Sequence, residues 1–371
     1  MALGIDFGTP SSGDGDTLFA AFTKINNMFT TTTKLSNGDL NINGINIGKA
    51  NNYGSTAVGD MALNVNTVNG NDNTAVGWSV LSLNTVGGFN TAIGSNAMRF
   101  ATGVNVINNV ALGGGALKNT TGRDNIAIGV GSLQDNSGGI SNTSIGVFSM
   151  ERNISGNYNT ALGRASLYLN QSGSYNTAIG HEALSQGTAY SYVSCLGYNA
   201  QVTGSSQIQL GSGTTTCYTN GVVQNRSDER DKADIRDTIL GLDFINQLRP
   251  VDYKWDMRED YKSEMPSLLG LDATEEEKAD YKILMDEWLE SVKIDNLTHD
   301  GTNKRTRYHH GLIAQEVQEV IEASGVDFGG FQDHKVAGGQ DVLSIGYSEL
   351  IAPMIKAIQE LTARINVLEG N

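Results

Sequence analysis

"NTALGRASLYLNQSGSYNTAIGHEAL", residues 159–184, contains one nine-residue phrase twice, and the spacing of the two copies decides how this chain folds. "NTALGRASL" begins at Asn159 and "NTAIGHEAL" at Asn176, 17 residues later. Working outward, "STAVGDMAL", "NTAVGWSVL", "NTAIGSNAM", "NVALGGGAL", "NIAIGVGSL" and "NTSIGVFSM" precede this stretch, and a worn copy, "SCLGYNA", follows it. The glycines of these units are Gly59, Gly77, Gly94, Gly113, Gly129, Gly146, Gly163, Gly180 and Gly197, separated by 18, 17, 19, 16, 17, 17, 17 and 17 residues. So steady a period marks a solenoid or repeat array.

Each unit reads as a short Thr-Ala-Val/Ile strand, a Gly turn, a small-plus-Leu step and an Asn/Gly-rich return. The strand is expected to offer only Ile/Val, with the following Leu, to a core. Ordering one residue costs about 1–2 kcal/mol in backbone entropy alone. A single unit therefore cannot fold, and stability has to come from stacking on neighbours and on other chains. The small Ala and Gly positions point to close backbone approach in a thin rod. A calcium-binding roll would need Asp in the turns, which here carry Asn, Ser and Ala. An ice-binding face would need ranks of Thr, but one Thr per unit alternates with Ala. The repeats read as structural.

The composition breaks at "NRSDERDK", residues 225–232. Residues 1–226 hold 9 Lys+Arg and 10 Asp+Glu, a net of −1; residues 227–371 hold 16 and 30, a net of −14, which together make the −15 of the 371-residue chain. There is no basic stripe, so nucleic acid is not expected as a partner. No apolar run approaches the 18 or so residues of a membrane span. "MALGIDFGTPSSGDGDTLF" lacks the basic and apolar regions of a secretory leader. Cys195 and Cys217 fit no metal pattern and are too few for a disulfide scaffold. Cys195 stands where sibling units carry Ala, so it reads as a small buried residue. No cofactor or metal is expected.

Before the repeats, "GDGDTLFAAFTKINNMF" (13–29) predicts an amphipathic helix capped by Asp16, with Leu18, Phe22, Ile25 and Phe29 on one face. "SNGDLNINGINIG" (36–48) alternates apolar and polar residues, as a strand leading into the rod should. At the other end Tyr347, Ile351, Met354, Ile358, Leu361, Ile365 and Leu368 step by 4, 3, 4, 3, 4 and 3, a heptad seam. Pro353 should start or kink that helix. β-Branched residues at one core position and Leu at the other favour two parallel strands.

The seam also holds chemistry. A serine hydroxyl becomes a useful nucleophile only when a base takes its proton. A lysine, ordinarily near 10.4, serves near pH 7 only if its pKa falls by about three units. Arg230 would push Lys232 that way, while Asp228, Glu229 and Asp231 oppose it, so burial on folding or assembly has to supply the rest.

The "NTAIGxxAL" units, over about 50–211, resemble those of trimeric phage tail fibres and the head repeats of trimeric bacterial adhesins. A bacterial surface adhesin should carry a signal peptide and a C-terminal membrane barrel, and the chain reads as having neither. "SDERDKADI", "LDFINQLRPVDYKW" (242–255), "HHGLIAQEVQEV" (309–320) and "YSELIAPMIKAIQELTARINVLE" (347–369), in that order, resemble the intramolecular chaperone domain of phage tailspikes and endosialidases, the peptidase S74 family. That resemblance covers 227–371. It implies a domain that helps a fibre trimerise and then cuts itself off. Ser227 would be the nucleophile, Lys232 the base and Arg226–Ser227 the scissile bond. His309 and His310 are possible auxiliaries that could polarise the scissile carbonyl, against a place at the start of the following helix; Gln315 and Glu316 would pack or cap within that helix. The acidic stretch 261–300 departs from the family pattern as a helical insertion.

The expected architecture is thus a mainly β repeat shaft, a trimeric β-solenoid or β-roll-like rod, followed by an α+β chaperone domain ending in a long helix. Its parts would be an N-terminal attachment segment (1–49), the shaft (50–211), a linker (212–226) and the chaperone domain (227–371). The function implied is that of a phage tail fibre: homotrimeric, part of the virion tail and made in the host cytoplasm. It would attach to other tail proteins through its N-terminal segment and bind a glycan or outer-membrane component of the host surface. The alternative is a tailspike depolymerase acting on host surface glycans, but Asp60, Asp72, Asp124, Asp135, Glu151 and Glu182 form no obvious pair of facing carboxylates. A membrane-tethered host protein sharing the chaperone is a third reading, disfavoured by the lack of a membrane segment.

Overall fold

Three consecutive residues per coil make the strands of the repeat region, and every coil places them directly above those of the coil before. The computed structural model describes residues 33–34, 40–42, 45–48, 54–65, 70–212, 215, 217–220, 227–264, 266–267, 273–337 and 339–370. The predicted 13–29 helix lies outside these residues. The chain divides into two units, residues 1–202 with 206–215, and residues 203–205 with 216–371.

In the first unit, β1 (Thr33–Lys34), β2 (Leu40–Ile42) and β3 (Ile45–Gly48) pair antiparallel in series. β3 then pairs antiparallel with β4 (Thr56–Val58). From there the sheet is parallel through β5 (Thr74–Val76), β6 (Thr91–Ile93), β7 (Val110–Leu112), β8 (Ile126–Ile128), β9 (Thr143–Ile145), β10 (Thr160–Leu162), β11 (Thr177–Ile179), β12 (Ser194–Leu196) and β13 (Ile208–Leu210). Equivalent residues face each other, as in Thr160↔Thr177, Ala161↔Ala178 and Leu162↔Ile179. The region is a β-solenoid of about nine turns over residues 56–210.

The expectation that Ile/Val fill the core is overturned. Side chains alternate across a strand, and here it is the middle residue that points inward. Ala75, Ala92, Ala111, Ala127, Ala161 and Ala178 are fully buried, whereas Ile145, Leu162 and Ile179 remain 36–45% exposed. The inward position leaves room for a methyl group or little more, and Ser144 and Cys195 occupy it in β9 and β12. The larger core side chains come from the turn: Leu81, Met98, Leu117, Leu133, Met150, Leu167 and Leu184 form a buried column. Their backbones are left-handed, φ 48–50°, which costs an L-residue about 1–2 kcal/mol. Hydrogen bonds between coils hold them there: Leu133 N–H donates to Ser149 O at 3.0 Å and Met150 N–H to Ser166 O at 2.9 Å.

The glycine column is a matter of contact. Gly146 sits at φ +144°, and a Cβ on it would stand 2.3 Å from Gly163 O in the next coil; Gly163 meets Gly180 O at 2.4 Å in the same way. The recurrent Asn before each strand is buried and makes a ladder. Asn142 Oδ1 accepts from Asn159 N–H at 3.0 Å and from Asn159 Nδ2 at 3.1 Å, while Asn142 Nδ2 donates to Gly156 O at 2.9 Å. The backbone step repeats from Asn73 to Asn176. A second ladder links Asn136, Asn153 and Asn170 at 2.7 Å per step.

In the second unit, α1 (Leu242–Gln247), α2 (Glu275–Ser291), α3 (Ala314–Ser324) and α4 (Ile351–Glu369) combine with two small two-stranded sheets. β14 (Val251–Tyr253) pairs antiparallel with β15 (His309–Gly311), and β16 (Phe331–Asp333) with β17 (Leu343–Ile345). Phe244, Val317, Phe328 and Leu350 form the core. The acidic insertion contains α2, opened by a reciprocal Thr274/Glu277 cap, and it buries Met285, Trp288, Val292 and Ile294. The final helix runs 23 residues from the 3₁₀ turn Tyr347–Leu350 through α4. Pro353 lies in its first turn and is buried with Ala357, and Glu360 accepts from Leu242 N–H at 2.8 Å, capping α1.

Candidate functional site

The spacing of Ser227 and Lys232 is explained by one turn. Asp228 opens a 3₁₀ turn over Glu229–Asp231, its carboxylate accepting from Arg230 N–H at 3.0 Å. Asp231 N–H donates to Asp228 O and Lys232 N–H to Glu229 O, both at 3.1 Å. The chain folds back on itself, and Lys232 Nζ donates to Ser227 Oγ at 2.7 Å. Nucleophile and base of the expected pair are within direct proton-transfer distance. Arg226 lies outside the described residues.

Arg230 does not act as a free cation here. Its guanidinium forks onto the Asp228 carboxylate at 3.0 Å and 2.6 Å, and that contact holds Asp228 below the ordinary carboxylate range. Asp228, read from the sequence only as an opposing charge, is the residue that caps the turn. The signal was present, since an Asp just before a short helical turn is a good N-cap. Ser227 and Lys232 are both exposed in the single chain.

His309 and His310 are strand residues of β15, ahead of the helix that starts at Ala314. His310 Nδ1 lies 2.6 Å from Asp252 Oδ1 across the β14–β15 pair, and the His309 ring stacks on Tyr253 with centroids 6.0 Å apart. Glu316 takes the Arg249 guanidinium in a two-pronged ion pair, with Arg249 Nε 3.0 Å from Oε2, and this contact lowers the Glu316 pKa.

A pair of carboxylates that sequence reading missed lies in the solenoid. Glu151 and Asp135 are one coil apart, Asp135 N–H donating to Glu151 O at 2.9 Å. Burial pushes Glu151 up to about 7, opposed by a hydrogen bond with Tyr168 and reinforced by the charge of Asp135, with Arg152 opposing. Glu151 Oε2 is buried without a hydrogen-bond partner. Adding one 16-residue step to Asp135 would have found the pair. Cys195 is buried, and desolvation raises its thiol to about 12.

Residues 227–273 match the Peptidase_S74 family model, described as chaperone of endosialidase. No curated protein and no solved structure matches the chain.

Proposed function

We propose that this chain is a phage tail fibre whose C-terminal unit chaperones assembly of the shaft and then severs itself at Arg226–Ser227. The observation that carries the reading is the Ser227–Lys232 contact of 2.7 Å, placed at the first residue of the chaperone-of-endosialidase match and after a β-solenoid.

In the simplest route Lys232 Nζ, as the neutral amine, takes the Ser227 hydroxyl proton while Oγ attacks the Arg226 carbonyl carbon. The C–N bond breaks, the Ser227 nitrogen leaves protonated, and Arg226 is held as an ester on Oγ. Water then hydrolyses the ester, leaving a carboxylate on Arg226 and a free hydroxyl and α-amine on Ser227. Ser227 and Lys232 are open to solvent in the single chain, and the reaction has to be shielded from that solvent. Cleavage is therefore tied to an assembly step that covers the pair. The assembly is a homotrimer, the state that the resemblance to trimeric fibres implies over the two strands the heptad pattern alone would favour; Ile351, Met354, Ile358, Leu361, Ile365 and Leu368 of α4, 43–86% exposed, are open to other chains. The N-terminal segment attaches the fibre to other tail proteins, and the shaft meets a glycan or outer-membrane component of the host.

The second reading, a tailspike that hydrolyses host glycans, has one observation behind it: Glu151, with a raised pKa, lies next to Asp135. Against it, Glu151 Oε2 is shut away from solvent, so that oxygen does not meet a substrate. Release of reducing ends from host polysaccharide would favour the tailspike.

The deciding experiment is intact-mass analysis of wild type beside Ser227→Ala. Wild type is expected to give fragments of 226 and 145 residues and the variant one chain of 371. An uncut wild type would end the self-cleavage reading.

A further inference from the structure

The outward face of the parallel sheet is uniform and uncharged. The first and third residues of β4–β13 point away from the solenoid core, two from each of ten strands. All twenty are Thr, Ser, Val, Ile or Leu, without a single charge. Ile145, Leu162, Ile179 and Leu196 in the third-position column are 36–45% exposed. Parallel sheets are ordinarily covered on both faces, and depletion of charge is what marks the centre of an interface.

We infer that this sheet face is where copies of the chain meet along the shaft. The inference rests on the fibre reading and adds the surface to it. Nine inter-strand steps of about 4.8 Å make the face roughly 43 Å long. A standard stable interface takes roughly 800 Å² and about 20–30 residues from each partner, and this face offers twenty outward side chains. The occupant follows from the repeat. The face is a series of identical ridges at the strand spacing, with no charged group to select a different partner. A surface that keeps the same rise over the whole length fits it ridge into groove, and another copy of this chain supplies that surface.

The test is site-directed cross-linking of the full chain in a Cys217→Ser background, with Ile145→Cys or Leu162→Cys on the face. Ser137→Cys, exposed in the return segment midway between β8 and β9, serves as control. A short bismaleimide is expected to join chains through positions 145 and 162 in most molecules and to leave the 137 variant unlinked. Sedimentation of the same samples separates the two failures. A multimer without links at 145 and 162 overturns the sheet-face assignment, including the case in which residues 1–53 of the same chain cover it, and leaves the fibre reading standing. A monomeric full chain overturns both. Equal linking at 137 also overturns the assignment, because it reports chance collision.

Discussion

At the scale of single residues, Glu151 makes a sharp claim about solution behaviour. Its carboxyl is raised from an ordinary 4.5 to about 7, first by burial. The folded chain therefore holds this proton more tightly than the unfolded chain does. The site costs nothing below pH 4.5, loses stability as pH rises towards 7, and carries its full penalty above that. Glu151→Gln keeps the shape without the charge. It is expected to stabilise the shaft at pH 8 by on the order of 2 kcal/mol and to match wild type at pH 4. Thermal unfolding followed by circular dichroism at the two pH values checks this, and equal stability at pH 8 would show that the carboxyl is solvated. Ser227 and Lys232 illustrate a different point. Their types and spacing are visible in the chain, but the contact between them depends on Asp228 capping the turn.

At the scale of elements, the asparagine ladder does more than fill space. Removing the Asn142 side chain leaves the Asn159 N–H without its acceptor, while the Asn159 side-chain amide keeps Gly173 O and Gly156 O keeps Asn153 Nδ2. Each orphaned buried group costs about 1–3 kcal/mol. Asn142→Ala is expected to loosen β9 and β10 by about 2–3 kcal/mol, read as roughly 100-fold faster hydrogen exchange at the Asn159 amide. Unchanged exchange there would mean that stacking of the coils, not the ladder, holds the strands together. The outer surface has its own column: Tyr158, Tyr175 and Tyr192 stack at 5.1 Å per step. Their rings face one another, so their edges and hydroxyls are what solvent meets. In the second unit, Pro353 sits where its lack of an N–H is harmless, in the first helical turn.

For the whole molecule, the two units differ in how they reach stability. A solenoid coil leans on its neighbours, so the first coils have nothing to stack on until others form. Parallel pairing at a separation of 17 residues closes a loop at each step before contacts are gained. The second unit has a separate core around Phe244 and Phe328, which does not wait on that propagation. A chain ending at Arg226 is accordingly expected to be recovered mainly as aggregate, whereas the same shaft made with residues 227–371 and then cut should stay soluble. Sedimentation of the two preparations is the check. Equal recovery would remove the proposed chaperone role and leave the second unit without a part in assembling the first.

The order of strand, glycine, leucine and asparagine, the coil length and the compositional seam at residues 225–232 were all determined by the sequence alone, because each is a local or strictly periodic property. The same holds for the heptad seam of the final helix. Only the tertiary structure decided that Ala points in and Ile points out, since a three-residue strand is too short for alternation to declare its own inside. It also decided that Leu and Met reach the core from left-handed turns, that the asparagines join into ladders, and that Glu151 meets Asp135. All of these depend on what lies one coil away. Burial and hydrogen bonding at a residue here are set by a neighbour 16–19 positions distant, and that neighbour is present only once the coils have stacked.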